Sequence, residues 1–162
     1  MKVIRSLQAK WGLAAVGMLL FSGVAGAQNP NVSVRDAWVR VPGGGQNVGA
    51  MFMVVENHSV SPRAIVGVAT DIAEKAELHE MKMNPTTKMM SMSPVKQIDI
   101  APNGSAELKP GGLHIMMFNL KTRPMPGETV NATLKLDDGS TVAVSAKARA
   151  PEDGESGMKK KM

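Results

Sequence analysis

Apolar and polar positions in this chain alternate over short stretches and rarely recur at helical spacing. Val32 to Val41 (VSVRDAWVRV) alternates in part and stops at Pro42. Gly49 to Glu56 (GAMFMVVE) is a near-continuous apolar run that ends at Asn57-His58-Ser59, and Ala64 to Ala69 is a third strand-like segment. Glu77 to Met83 (ELHEMKM) sets Leu78 and Glu80 against His79 and Met81, a period of two that marks a strand. Asn84-Pro85-Thr86-Thr87 reads as a turn, Lys88 to Met92 resumes the strand, and Pro94 interrupts it. Gln97 to Ile100 and Ser105 to Leu108 flank the turn Pro102-Asn103-Gly104. Pro110-Gly111-Gly112 leads into the strand Leu113 to Leu120. Thr129 to Leu136 and Thr141 to Ala148 read as a hairpin across Asp137-Asp138-Gly139-Ser140. Asp71 to Ala76 is a helical candidate of two turns at most. Many short strands with closely spaced turns predict an all-β domain, either a sandwich or a small barrel.

Both ends of the chain depart from this pattern. Met1 to Lys10 carries Lys2, Arg5 and Lys10 without an acid, Trp11 to Val24 is mostly apolar, and Ala25-Gly26-Ala27 is a small-x-small cleavage signal. Residues 1–27 therefore read as a secretory signal peptide cut before Gln28. Their apolar run is short for a bilayer span, and no later segment is apolar enough to cross one. The expected mature protein is soluble and exported, with a folded domain over residues 28–150. From Pro151 the polar stretch EDGESGMKKKM reads as a disordered tail over residues 151–162. The 162 residues are enough for one domain.

Charge and composition exclude several function classes. The whole chain carries a formal +5, and loss of the three leader cations reduces it to +2. That leaves no basic footprint for nucleic acid. With 2 Trp, 3 Phe and no Tyr there are few platforms on which bases could stack. No Gly-x-Ser-x-Gly, His-Glu-x-x-His or phosphate-binding glycine loop occurs, so the sequence is not read as an enzyme. Carboxylates such as Glu77 and Glu80 are expected on a solvated strand face. The chain has no cysteine, so a thiolate metal site, a blue-copper ligand set and a Cys-x-x-Cys redox pair are all ruled out. It also has 14 Met, and thioethers resist an oxidising compartment better than thiols do.

The chemistry gathers in two His-x-Met triplets. His79-Glu80-Met81 is followed after ten residues by Met92, and after another twenty-one by His114-Ile115-Met116. On a strand, residues i and i+2 share a face, so each triplet offers one imidazole nitrogen and one thioether sulfur together. This neutral, soft donor set suits Cu(I). Met83, Met89 and Met90 lie in the same stretch and flank a turn, where core packing is least expected. Met51, Met53 and Met117 are expected in the core, and His58, at a strand end, as a hydrogen-bonding surface group. Thioethers have no proton to lose, so only the imidazoles compete with protons for a metal.

The stretches ELHEMKM, Met92-Ser93-Pro94-Val95 and LKPGGLHIMM resemble the PCu(A)C (DUF461-type) family of periplasmic copper chaperones, whose signature has these two gaps. The likeness extends to AWVR at 37–40, to the strand ending Glu-Asn-His and to the closing hairpin. It implies a cupredoxin-like Greek-key β-sandwich. It implies one Cu(I) held by His79, Met92, His114 and Met116, with Met81 as an additional candidate. It further implies delivery to the CuA-bearing subunit of a cytochrome c oxidase or to another periplasmic copper protein. Ser93 stands where the family usually has arginine, and the tail lacks the histidines with which some relatives hold Cu(II). Two other readings stay open here, periplasmic copper buffering or resistance and a non-metal structural sandwich.

Overall fold

The alternating segments pair into ten strands in the computed structural model, which describes residues 27–43 and 45–150. They are β1 (Val32–Arg40), β2 (Val48–Asn57), β3 (Arg63–Thr70), β4 (Ala73–Met83), β5 (Met90–Pro94), β6 (Ile98–Ile100), β7 (Ser105–Leu108), β8 (Leu113–Leu120), β9 (Thr129–Leu136) and β10 (Thr141–Arg149). The pairing order is β5-β4-β8-β7-β2-β1-β10-β9-β3-β6, with β8 also pairing to β2. The pairing doubles back on itself, so that β3 packs near β4 without pairing to it. The layers join at β1, which is antiparallel to β2 on one side and parallel to β10 on the other. The expected signal peptide, Ala27 apart, and the expected tail lie outside the described residues.

Alternation explains the core. In β9 and β10 every second residue is buried, with Leu134, Leu136, Val144 and Ala146 pointing inward. Met51, Met53 and Met117 are buried in the core, as expected for unbranched side chains that fill irregular gaps. Large side chains buried to this extent each contribute about 1.5–3 kcal/mol. One polar group enters at the end of β2: Asn57 is 1% exposed, and its amide is satisfied. It donates to the Ser61 carbonyl at 2.8 Å and accepts from the Ser59 amide at 3.0 Å. His58 is exposed and lies 2.8 Å from Ser33 Oγ, the surface role expected of it.

Two local expectations are corrected. The helical candidate at Asp71 to Ala76 is instead a bend followed by the start of β4. Ala73 pairs with Leu120, and the Lys121 amide donates to the Ile72 carbonyl at 2.8 Å, so sheet pairing overrides the helix propensity of Ala-Glu-Lys-Ala-Glu. Pro94 does not break its strand but is the last residue of β5. β5 is an edge strand, and the Val95 amide donates to the Leu78 carbonyl at 2.9 Å, so the N–H that Pro94 lacks would face the open edge.

The β9–β10 turn anchors the first described residues. The Thr141 amide donates to the Ala27 carbonyl at 3.0 Å, and Asn29 donates to Ser140 Oγ at 2.9 Å and to Asp138 at 3.2 Å. Asp138 also accepts from the Ser140 amide at 2.9 Å and pairs with Arg63 at 3.3 Å. Hydrogen bonds from Ser140, with Arg63 adding, hold its carboxyl below the usual range. Its contribution is therefore complete above the ordinary carboxylate pKa of about 4 and fades as pH falls through the lower folded value. Thermal melts of Asp138→Asn should show a loss of about 1 kcal/mol at pH 7, with the gap to wild type closing in acid.

Candidate functional site

The paired strands β5, β4 and β8 bring the two triplets together. His79 lies directly opposite His114, Met81 opposite Met92, and Glu77 opposite Met116. Directly paired residues share a face, so these six side chains all project from one side. The other side carries Leu78 opposite Ile115 and Ala76 opposite Met117, which enter the core. The candidate site therefore lies on the outward face of its layer, where β8 begins and the β4–β5 hairpin leaves the body.

Both histidines are largely buried despite facing outward, His79 at 8% exposed and His114 at 5%. Rings enclose them. The two imidazoles are 6.0 Å apart by centroid, Phe118 is 5.8 Å from His79, and Phe52 is 6.2 Å from His114. Trp38 lies 4.5 Å beyond Phe52. The Arg40 guanidinium lies 5.3 Å from the Phe52 ring, and the Arg149 guanidinium 5.1 Å from Trp38. The aromatic wall thus carries cations on the side away from β5. Met116 is half-buried and lines a shallow groove with Arg40, Val48 and Ala50.

The hydrogen bonds fix which ring nitrogen each histidine offers. His114 Nδ1 is 2.9 Å from the Gly112 carbonyl, which can only accept, so Nδ1 carries the proton and Nε2 the lone pair. The same carbonyl accepts the Met81 amide at 3.1 Å, tying β4 to the start of β8. Gly111, at φ 82°, makes the turn that aims this carbonyl. His79 Nε2 is 3.2 Å from the Glu77 carboxylate, which likewise accepts, leaving Nδ1 as the free base. That Nδ1 is buried and has no hydrogen-bond partner among the described residues. A buried acceptor left unpaired costs about 1–3 kcal/mol, so an unpaired nitrogen in this position is a candidate ligand atom.

Glu77 is the residue that sequence reasoning undervalued. It was expected on a solvated face, yet it orients His79 while bonding Lys75 at 2.7 Å. The Lys75 ammonium, with His79 adding, holds its carboxyl below the usual range. The alternation in Glu77-Leu78-His79 already put the two on one face. The register also separates the methionines. Met81 is half-buried and lies next to His79 along β4 and diagonal to His114, whereas Met92 is 47% exposed and one strand farther out. Met81 is therefore as well placed as any other methionine at the site. Among the described residues, no group of three or more His, Cys, Asp or Glu side chains is arranged to hold a metal ion. The soft donors that share this face are imidazoles and thioethers.

The fold has counterparts among known proteins. The solution structure of CuI-DR1885 from Deinococcus radiodurans is similar at TM-score 0.59 and 31% identity, covering 79% of this chain and 83% of that one. The copper-bound PCuAC domain from PmoF2 is similar at TM-score 0.63 and 20% identity, covering 75% and 94%. At that identity the likeness concerns the fold, which is the cupredoxin-like β-sandwich expected from the sequence. The putative lipoprotein Lxx21020 of Leifsonia xyli subsp. xyli (strain CTCB07) is 34% identical over 121 residues, 74% of this chain and 70% of that protein. The family model described as putative lipoprotein LpqE-like matches residues 32–148, nearly the whole paired-strand region. On this match and that relative, the chain belongs to the LpqE-like family.

Proposed function

We propose that this protein is an exported copper carrier of the PCu(A)C type, with Cu(I) as its cargo. In this reading His79, Met92, His114 and Met116 hold one Cu(I), with Met81 as an additional ligand candidate. The observation that carries it is the pair of facing imidazoles. Each has one nitrogen engaged by an acceptor and the other free, and the free Nδ1 of His79 is buried without a partner among the described residues. The relative from Deinococcus radiodurans, solved in its CuI form at 31% identity, supports the choice of metal.

The chemistry follows from the donors. Imidazole and thioether are neutral and soft, so the bound ion keeps its +1 charge and is favoured over harder divalent ions. An uncompensated charge is costly when deeply buried, and a site on the outward face beside an exposed hairpin reduces that cost. Neutral thioethers release copper to a thiolate-bearing acceptor more readily than thiolates would, which suits transfer rather than storage. The proposed acceptor is the CuA-bearing subunit of a cytochrome c oxidase, reached in the periplasm after removal of residues 1–27. The carrier is not an enzyme in this account, since no bond of a substrate is made or broken.

An anaerobic Cu(I) titration against a chromophoric chelator should show one tight equivalent in the wild type and none in His114→Ala/Met116→Ala. Equal weak binding by both proteins would overturn the reading. The loaded protein should then pass copper to a soluble CuA domain, and retention of copper there would reduce the role to buffering. Glu77→Gln tests the orienting contact separately. It should keep the stoichiometry but weaken Cu(I) binding by about tenfold, as expected for loss of a group that orients a ligand.

A further inference from the structure

Beyond Leu78, the β4–β5 hairpin has no core to pack against. Residues 82–94 are all exposed, and they include Met83 at 59%, Met90 at 46% and Met92 at 47% exposure. Single exposed apolar residues are ordinary, but these are not scattered. The register pairs Met81 with Met92 and Met83 with Met90, so two thioether pairs follow one another on the face that carries His79. The tip beyond them is held by polar contacts. Asn84 Oδ1 accepts from the Thr86 and Thr87 amides at 2.9 and 3.0 Å, and the Asn84 amide donates to the Met89 carbonyl at 2.9 Å. Packing therefore gives no account of Met83 and Met90, whereas the hairpin holds their backbones side by side.

We infer that Met83 and Met90 form an outer Cu(I) site through which copper reaches and leaves the inner donors; this rests on the copper reading above. Directly opposed residues have Cβ atoms about 5 Å apart, close enough for two flexible thioether arms to share one ion. Two neutral sulfurs bind a soft monovalent ion more weakly than a larger His and Met set, and their exposure leaves the ion partly hydrated. The next pair inward, Met81 and Met92, begins about 7 Å away along the strands. Copper can therefore gain an inner thioether before it loses an outer one. No electron or proton moves in such an exchange, because thioethers do not titrate and the ion stays Cu(I).

The test uses the mature protein with 13C-methyl-labelled methionines, titrated anaerobically with Ag(I) as a redox-inert stand-in. Wild type and Met83→Leu/Met90→Leu are compared; leucine keeps the apolar bulk of these exposed positions and removes the sulfur. The Met83 and Met90 methyl signals should shift together, at a weaker step than those of Met92 and Met116. The variant should lose only that step, and should load from a Cu(I) chelate severalfold more slowly than the wild type. Methyl signals of Met83 and Met90 that never move would overturn the proposal. A variant that loads at the wild-type rate would also overturn the relay and leave the hairpin as an apolar docking patch. Failure of the copper reading itself would look different, with the Met92 and Met116 signals unmoved in both proteins.

Discussion

A slip of one residue between β4 and β8 would send His79 into the core and expose Leu78, because strand side chains alternate faces. The antiparallel register that sets His79 opposite His114 is thus the constraint on which the site depends. The register is held from the core side, where Leu78 meets Ile115 and Ala76 meets Met117. It is also held at the start of β8, where the Gly112 carbonyl accepts both the Met81 amide and the His114 ring. The contacts that stabilise the sandwich therefore also aim the imidazoles, and no separate framework is needed to position them.

The surroundings decide what the imidazoles can do. Acceptor-only partners fix the tautomer of each ring and leave one basic nitrogen on each. Phe52, Phe118 and Trp38 cover one side of the histidine pair, and arginines stack on the aromatic wall there. The other side opens onto a hairpin whose residues are exposed and rich in methionine. The site is thus polarised, with an aromatic, cation-bearing back and an exposed, methionine-rich front. A monovalent soft cation would approach and leave by the front.

Much of this was legible in the sequence because strand alternation is a simple code. The His-x-Met spacing predicted a shared face, and the structure places each histidine and the methionine two residues after it on one side of the sheet. Met116 faces out and Met117 in, as alternation requires. The failures arose where local signals compete with pairing. Ala73-Glu74-Lys75-Ala76-Glu77 has helix-favouring composition, and only its partner β8 makes it a strand. Pro94 reads as a breaker until β5 proves to be an edge. The relative positions of Met81 and Met92 depend on cross-strand register, which residue spacing within one strand does not encode; the Glu77–His79 contact lies within β4, where alternation already put both on one face.

The most direct test of the central claim is X-ray absorption at the copper edge of the anaerobically loaded Cu(I) protein. The account predicts a first shell that mixes imidazole nitrogen and thioether sulfur, with the histidine contribution diminished in a His79→Ala variant. A shell of sulfur alone would move copper out to the methionine hairpin and away from the facing histidines. A shell without sulfur would contradict the account altogether.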